Sequence, residues 1–330
     1  MNAPKPPRAM ILAAGFGTRL GELTAIRPKP MLPICGAPLV RWSVLWLRAQ
    51  GIREFVINLH HLGEQIEAEL GDGSALGVAI AYSNEEGMIL GTGGGLRKAR
   101  PLLDDGQGTP IVVVNGKILT DLALAPLLAR HRERDAEATM VLRRDVEGVW
   151  GGELALGPDS KLATFLGRSR AGVEPGPKMM FTGVHVIAPR FLDRVPSEGE
   201  QCIVRTAYRE LFETGPGIEG WEHRGYWWEH STTARYLEGL ANVLEGRVDL
   251  PWAEAPVVGV DPSATIGEGV ELIEPLRIGA GAVVGAGASI GPDVEIGAGA
   301  VVGAGVKVER ASVWPGARVD RDLADGVAAT

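Results

Sequence analysis

The sequence predicts an α/β domain on a doubly wound, mostly parallel sheet, followed by a parallel β-helix of hexapeptide repeats. Three observations predict it. Over residues 8–245 short apolar runs alternate with helical patterns at the spacing of strand–helix units. From Val260 an aliphatic residue recurs at every sixth position. Between the two, residues 246–259 carry Pro251 and Pro256 and read as a linker. The expected domains are therefore 8–245 and 260–320.

The elements follow in order. "AMILAA", "FVINL", "VAIAYS" and "PIVVVNG" read as strands, and "PLVRWSVLWLRAQG", "GEQIEAEL", "GGGLRKARPLL" and "LALAPLLARHRE" as the helices between them. In sheets of this kind ligands sit beyond the carboxyl ends of the strands, so the loops there are where function is sought. Trp42 and Trp46, four apart on a helix, read as core packing. In the second part the repeating positions are Val260, Ile266, Leu272, Ile278, Val284, Ile290, Ile296, Val302 and Val308. Glycine follows at 267, 279, 285, 291, 297 and 303. Each repeat supplies one flat strand, its aliphatic side chain points into a narrow prism, and neighbouring coils bury each other's edges.

Composition excludes several function classes. The 330 residues are 45% hydrophobic and 22% charged, as in ordinary globular proteins. No apolar run reaches the roughly 18 residues of a membrane span. The start "MNAPKPPRAM" has no apolar leader core, so secretion is not expected. Two cysteines, Cys35 and Cys202, make neither a disulfide framework nor a zinc site, and a reducing cytoplasm is expected. A formal net charge of −8 repels nucleic acid at long range while leaving room for a local basic pocket.

The first strand runs into "ILAAGFGTRLGELTAIRPKPMLPI". Gly15 and Gly17 let backbone N–H groups approach a ligand, as a phosphate cradle requires. A P-loop would need Gly-Lys-Ser/Thr, which is missing. A dinucleotide site would need an acid after strand two, where "VINLHH" has none. A triphosphate cradle explains more: Arg19 and Lys29 add charge, and Pro28, Pro30 and Pro33 stiffen the segment that aims Lys29. A basic surface turn would leave the glycines and prolines unexplained.

"LAAGFGTRL…RPKPMLPI" resembles the signature of the sugar-1-phosphate nucleotidyltransferases, and "LGTGGGLRKA", "VVVNGKILTD", "FTGVHVIAP" and "YWWEHSTTARY" match further segments in order. The C-terminal repeats resemble those of mannose-1-phosphate guanylyltransferases and glucose-1-phosphate adenylyltransferases. The first half is also similar to N-acetylmuramate-1-phosphate uridylyltransferase. The resemblance implies a Rossmann-like nucleotidyltransferase sheet, a left-handed sense for the β-helix, and a reaction of nucleoside triphosphate with sugar 1-phosphate. Such catalysis rests on positioning and charge neutralisation.

By the resemblance, Ala14, Gly15, Gly17 and Thr18 cradle the phosphates, Arg19 grips the pyrophosphate and Lys29 reaches the α-phosphate. Leu90, Gly91 and Thr92 lie against the base, and Asn115 belongs to the nucleotide site. The family's sugar-phosphate lysine is matched by Arg168 in "FLGRS", with Gly167 where a glutamate is usual. Arginine binds phosphate bidentately. Thr182 and Gly183 align with a segment near the sugar, and a buried strand start is the alternative reading.

The family places a magnesium-ligating aspartate after "NG", and a second in a later segment. Here those positions hold Lys117 and Glu229. Glutamate ligates magnesium, whereas a protonated lysine has no lone pair and repels it. Three accounts stand. Mg²⁺ binds through Glu229, the phosphates and Asp121; or Lys117 supplies the charge an aspartate–metal pair would; or chemistry has lapsed and the domain only binds nucleotide sugar, with an active paralogue as partner. Asp121 also reads as the N-cap of a helix near Leu122. His230 reads as a satisfied polar residue, and His60 and His61 as solvated loop residues. Acyl transfer by the repeats is set aside because no histidine follows His230. The β-helix is expected to mediate a homo-oligomer.

Overall fold

The computed structural model describes residues 5–145 and 147–329. The first four residues, part of the stretch read above for a leader, lie outside them. By internal contacts the chain divides into two compact units. One comprises residues 1–15, 46–116 and 122–227, the other 16–45, 117–121 and 228–330. This division cuts differently from the linear one expected. The segments that carry Arg19, Lys29, Lys117 and Glu229 belong with the β-helix.

The first unit holds a seven-stranded sheet. Its strands are β1 (Arg8–Leu12), β2 (Glu54–Leu59), β3 (Ala79–Asn84), β4 (Ile111–Asn115), β5 (Ala138–Arg144), β6 (Met179–Ile187) and β7 (Glu219–Glu222). The spatial order is β7-β5-β6-β4-β1-β2-β3. All neighbours are parallel except β6, which runs antiparallel to both β4 and β5. Four of the five β4 residues are buried, the mark of a strand covered on both faces. Helices Gly63–Leu70, Gly91–Leu103 and Leu124–Glu133 follow β2, β3 and β4 much as the patterns predicted. Met10, Val56, Val113, Met140, Phe165, Phe191 and Tyr208 are part of one core cluster.

Strand β6 is irregular between Phe181 and His185, because Gly183 takes a left-handed conformation (φ 78°). A Cβ there would stand 2.2 Å from the Asn115 side-chain nitrogen, so only glycine fits.

The second unit contains the repeats. Val260, Ile278, Ile296 and Val313 stack in register on one face. Ile266, Val284, Val302 and Val319 stack on the second, and Leu272, Ile290, Val308 and Leu323 on the third. Three parallel sheets result, the arrangement of a left-handed hexapeptide β-helix. The stack continues to Val327–Ala328, past the expected end at 320. The last coil is shorter than three hexapeptides, so the six-residue period fades after Val308 although the stacking does not. No helix among the described residues is long and apolar enough to cross a membrane.

Candidate functional site

In the second unit the glycine-rich loop leads into a single 3-10 turn, Thr18–Leu20. Gly17 before it is left-handed (φ 72°, ψ 20°), which turns successive N–H groups toward one side. A Cβ on Gly17 would lie 2.8 Å from Thr24 Cγ2 and 3.2 Å from Lys29 Cε. Glycine at this point thus lets the lysine stem pass. Lys29 opens a second 3-10 turn, Lys29–Met31, after Pro28 in extended conformation. Pro30, Met31, Leu32, Pro33 and Ile34 are buried, so the backbone path that aims Lys29 is fixed on its downstream side.

Lys117 and Glu229 meet through the short pair of strands Ile118–Thr120 and Trp227–Glu229. The Lys117 ammonium is 2.9 Å from Glu229 Oε2, and the Arg19 guanidinium 3.7 Å from Oε1. Two cations therefore pair with one carboxylate, and Lys29 lies within electrostatic reach of Lys117, Arg19 and Glu229. Burial, then the charges of Lys117 and Arg19, lower the Lys29 pKa to about 8 despite Glu229. Desolvation pushes the Glu229 carboxyl up, but Lys117 in particular brings it below its ordinary value. His230 is fully buried. Its backbone N–H donates to the Lys117 carbonyl at 3.0 Å, and its Nδ1 is 3.2 Å from the same oxygen. Burial lowers its pKa to about 4, so the ring is neutral at pH 7. A carbonyl can only accept, so Nδ1 carries the proton and His230 clamps the backbone beneath Lys117.

The residues present do not fit a magnesium site of the expected kind. One of the two carboxylate positions is an ammonium, and it occupies the oxygen of the other. Among the described residues no group of three or more His, Cys, Asp or Glu side chains could hold a metal ion. Asp121 is exposed, and it is not the N-cap expected of it. The helix begins at Leu124 with an extended Ala123 at its N-cap, because residues 118–120 are drawn into the strand pair.

The first unit orders the other expected residues. Gly91 begins its helix with φ 70°, and a Cβ there would lie 2.7 Å from the Gln201 carbonyl. The Leu90 N–H donates to Glu85 Oε2 (2.7 Å), and Thr92 Oγ1 accepts from the Ile203 N–H (3.0 Å). Glu85 Oε1 accepts from Asn58 Nδ2 (2.6 Å), and Asn58 Oδ1 accepts from the Ala13 N–H (2.8 Å). Asn58 and Glu85 therefore tie the start of the phosphate loop to the Leu90 segment. Sequence reasoning missed both. The signal was an amide inside the apolar strand "FVINL" and an acid directly after β3. His60, expected as solvated, places Nδ1 2.8 Å from the Glu85 carbonyl.

Asn115, at the end of β4, abuts Gly183. Thr182 lies inside β6 rather than at its start and is buried. Its hydroxyl donates to the Val141 carbonyl (2.8 Å) and its own carbonyl accepts from Trp227 Nε1 (2.8 Å). Arg168 is exposed and ion-paired with Glu213. Of the expected phosphate loop in the first unit, Ala14 is buried and Gly15 exposed; Thr18, in the second, is exposed.

Comparison with known proteins supports a shared ancestry. Residues 8–148 match the family described as Nucleotidyl transferase, and 275–310 match Bacterial transferase hexapeptide (six repeats). The chain is 36% identical over 236 residues to N-acetylmuramate alpha-1-phosphate uridylyltransferase of Neisseria meningitidis, covering 71% of this chain and 97% of that protein. It is 31% identical to mannose-1-phosphate guanylyltransferase of Mycobacterium tuberculosis, covering 83% of this chain and 75% of that one. The crystal structure of HddC from Yersinia pseudotuberculosis complexed with GMP-PN superposes with a TM-score of 0.59 at 18% identity, covering 72% and 100% of the two chains, and that similarity concerns the fold. The chain belongs to the sugar-1-phosphate nucleotidyltransferases, an enzyme family, and carries hexapeptide repeats after its nucleotidyltransferase segment.

Proposed function

We propose that the chain makes a nucleoside-diphosphate sugar in the manner of a mannose-1-phosphate guanylyltransferase. The observation that carries this is the pairing of Arg19 and Lys117 with one carboxylate, with Lys29 within electrostatic reach of all three and its stem passing a left-handed glycine. Three cations against one anion leave about two positive charges for a triphosphate. An oxygen of the sugar phosphate attacks the α-phosphorus in line. The new P–O bond forms as the bond to the bridging oxygen breaks, and pyrophosphate leaves with the electron pair. No protein nucleophile enters, because the attacking oxygen is already ionised.

In this reading Arg19 neutralises the departing pyrophosphate, Lys29 the α-phosphate, and Lys117 replaces charge that relatives draw from a metal. Leu90, Gly91, Thr92 and Asn115 serve the nucleotide, and Arg168, Thr182 and Gly183 the sugar phosphate. Thr182 contributes by shaping its strand, since its hydroxyl is already bonded. The preference for guanosine and mannose rests on the "LGT" segment combined with a hexapeptide helix; uridine with N-acetylmuramate is the competing pair. A homo-oligomer through the β-helix is supported by its first coil, where Val260, Ile266 and Leu272 are exposed at 40%, 36% and 38%. Light scattering at micromolar concentration checks it, and a monomer mass contradicts it.

The Lys117–Glu229 ion pair favours one second reading, a lapsed enzyme that binds nucleotide sugar beside an active paralogue. The test is pyrophosphate release from a panel of triphosphates and sugar 1-phosphates, with the nucleotide sugar identified by mass. Turnover removes the second reading. Nucleotide-sugar binding without turnover for every pair overturns the first.

A further inference from the structure

Three contacts join the segment carrying Lys29 to the β-helix, all within the second unit. Before Lys29, the Arg27 guanidinium stands 5.6 Å from the ring centroid of Trp314, a residue of the last coil. Beyond it, Tyr236 Oη donates to the Pro33 carbonyl (2.6 Å), lies 3.0 Å from Ser312 Oγ and accepts from Trp314 Nε1 (3.1 Å). At the end of the segment, Glu295 accepts from the backbone N–H groups of Cys35 (2.9 Å) and Gly36 (2.6 Å).

Glu295 is the decisive member. It lies on the strand Val294–Ile296, where Ile296 stacks with Ile278 and Val313. Side chains alternate along a strand, so Glu295 leaves the prism opposite to Ile296. It is nonetheless 2% exposed, a costly place for a charge. Its partners are the two turn N–H groups and Arg277, 3.5 Å away. Cys35 (φ 47°) and Gly36 (φ 89°) are both left-handed, so their N–H groups point the same way and make an anion nest. The carboxylate fills it. Between this nest and Lys29 every residue is buried and two are proline, which leaves no slack to absorb a movement of the turn.

We infer that Glu295 and Tyr236 are positioning residues for Lys29, so that the β-helix is a working part of the phosphate-binding apparatus. The inference rests on the reading of Lys29 as a phosphate ligand. In Glu295→Gln the amide can accept one N–H but presents its own NH₂ to the other, which frees half the nest.

The test measures triphosphate affinity by calorimetry for the full chain, Lys29→Met, Glu295→Gln and the double variant, with hydrogen exchange over residues 27–36. Glu295→Gln is expected to weaken binding about tenfold, to change it less than about twofold in the Lys29→Met background, and to speed exchange across the segment. A purely structural role predicts equal shifts in both backgrounds, or none, and either result overturns the inference. Unchanged exchange overturns it too. If Glu295→Gln does not fold, Tyr236→Phe, which removes only the hydroxyl, carries the same cycle. Failure of the unaltered chain to bind any triphosphate refutes the functional reading itself. The exchange experiment still judges the anchoring of the segment.

Discussion

Replacing Lys117 separates a lysine recruited for phosphate from one that merely fills a lost metal site. In the structure its ammonium is 2.9 Å from Glu229 Oε2, and the two side chains are only 23% and 17% exposed. Two unit charges at about 4 Å interact by about 4 kcal/mol at an effective dielectric near 20, before the cost of desolvation is subtracted. Lys117→Ala therefore costs about 1–2 kcal/mol of stability, since Arg19 still faces Glu229 at 3.7 Å. Its effect on ligand should be larger. One charge-assisted contact to phosphate contributes about 1.5–3 kcal/mol, so triphosphate affinity should fall roughly 10- to 100-fold. Lys117→Asp should do worse without magnesium, because two cations then face two carboxylates and the net positive charge vanishes. Added magnesium should rescue the aspartate variant and not the alanine variant. Calorimetric titration of triphosphate in EDTA and in excess magnesium reads all of this. Alanine-variant affinity equal to that of the unaltered chain in EDTA would refute the reasoning, as would an unaltered chain that binds only with magnesium.

Other expectations follow from the same geometry. Lys29 must be charged to hold phosphate and its free-state pKa is about 8, so triphosphate affinity should decline as pH rises through 8, with proton uptake on binding between about pH 8 and 10; a flat affinity between pH 7 and 9.5 contradicts the assignment. His131, His185 and His230 are held neutral, with pKa values lowered to about 4, 3 and 4, while unfolded histidine takes up a proton near 6.5. The unfolded chain then binds more protons, so these groups lower stability by about 4 kcal/mol as pH falls from 8 to 5.5, and the melting temperature should drop over that window. A melting temperature constant from pH 8 to 5.5 would show that the three rings are solvated. Gly183→Ala forces a left-handed φ on alanine and a Cβ against Asn115, and should cost about 2 kcal/mol or more in denaturant unfolding; a neutral result would mean that the irregularity in β6 relaxes freely.

Where the sequence carried a period, the structure was legible. The helices at 63–70 and 91–103 and all four early strands match their patterns, because burial on one or both faces writes itself into residue order. The β-helix was legible up to Val308, where its final coil shortens and the period breaks while the fold continues. Local conformation in the candidate site was legible where a backbone need selects a residue type, as at Gly17, Gly91 and the prolines around Lys29. Asp121 misled because a good capping residue beside a helix says nothing of a competing strand pair. Asn58 and Glu85 stayed hidden because one polar residue near an apolar strand has no period, and its partners lie far along the chain. Glu295 was hidden for the same reason: within a hexapeptide it looks like any solvated position, and only the fold brings residues 35 and 36 to it.

A structure of the chain bound to a non-hydrolysable nucleoside triphosphate tests the central claim most directly. The account predicts phosphate oxygens within hydrogen-bonding distance of Arg19, Lys29 and Lys117, beside the turn at Gly17. Phosphates bound elsewhere, with the Lys117–Glu229 pair closed and Arg19 and Lys29 turned to solvent, would contradict it.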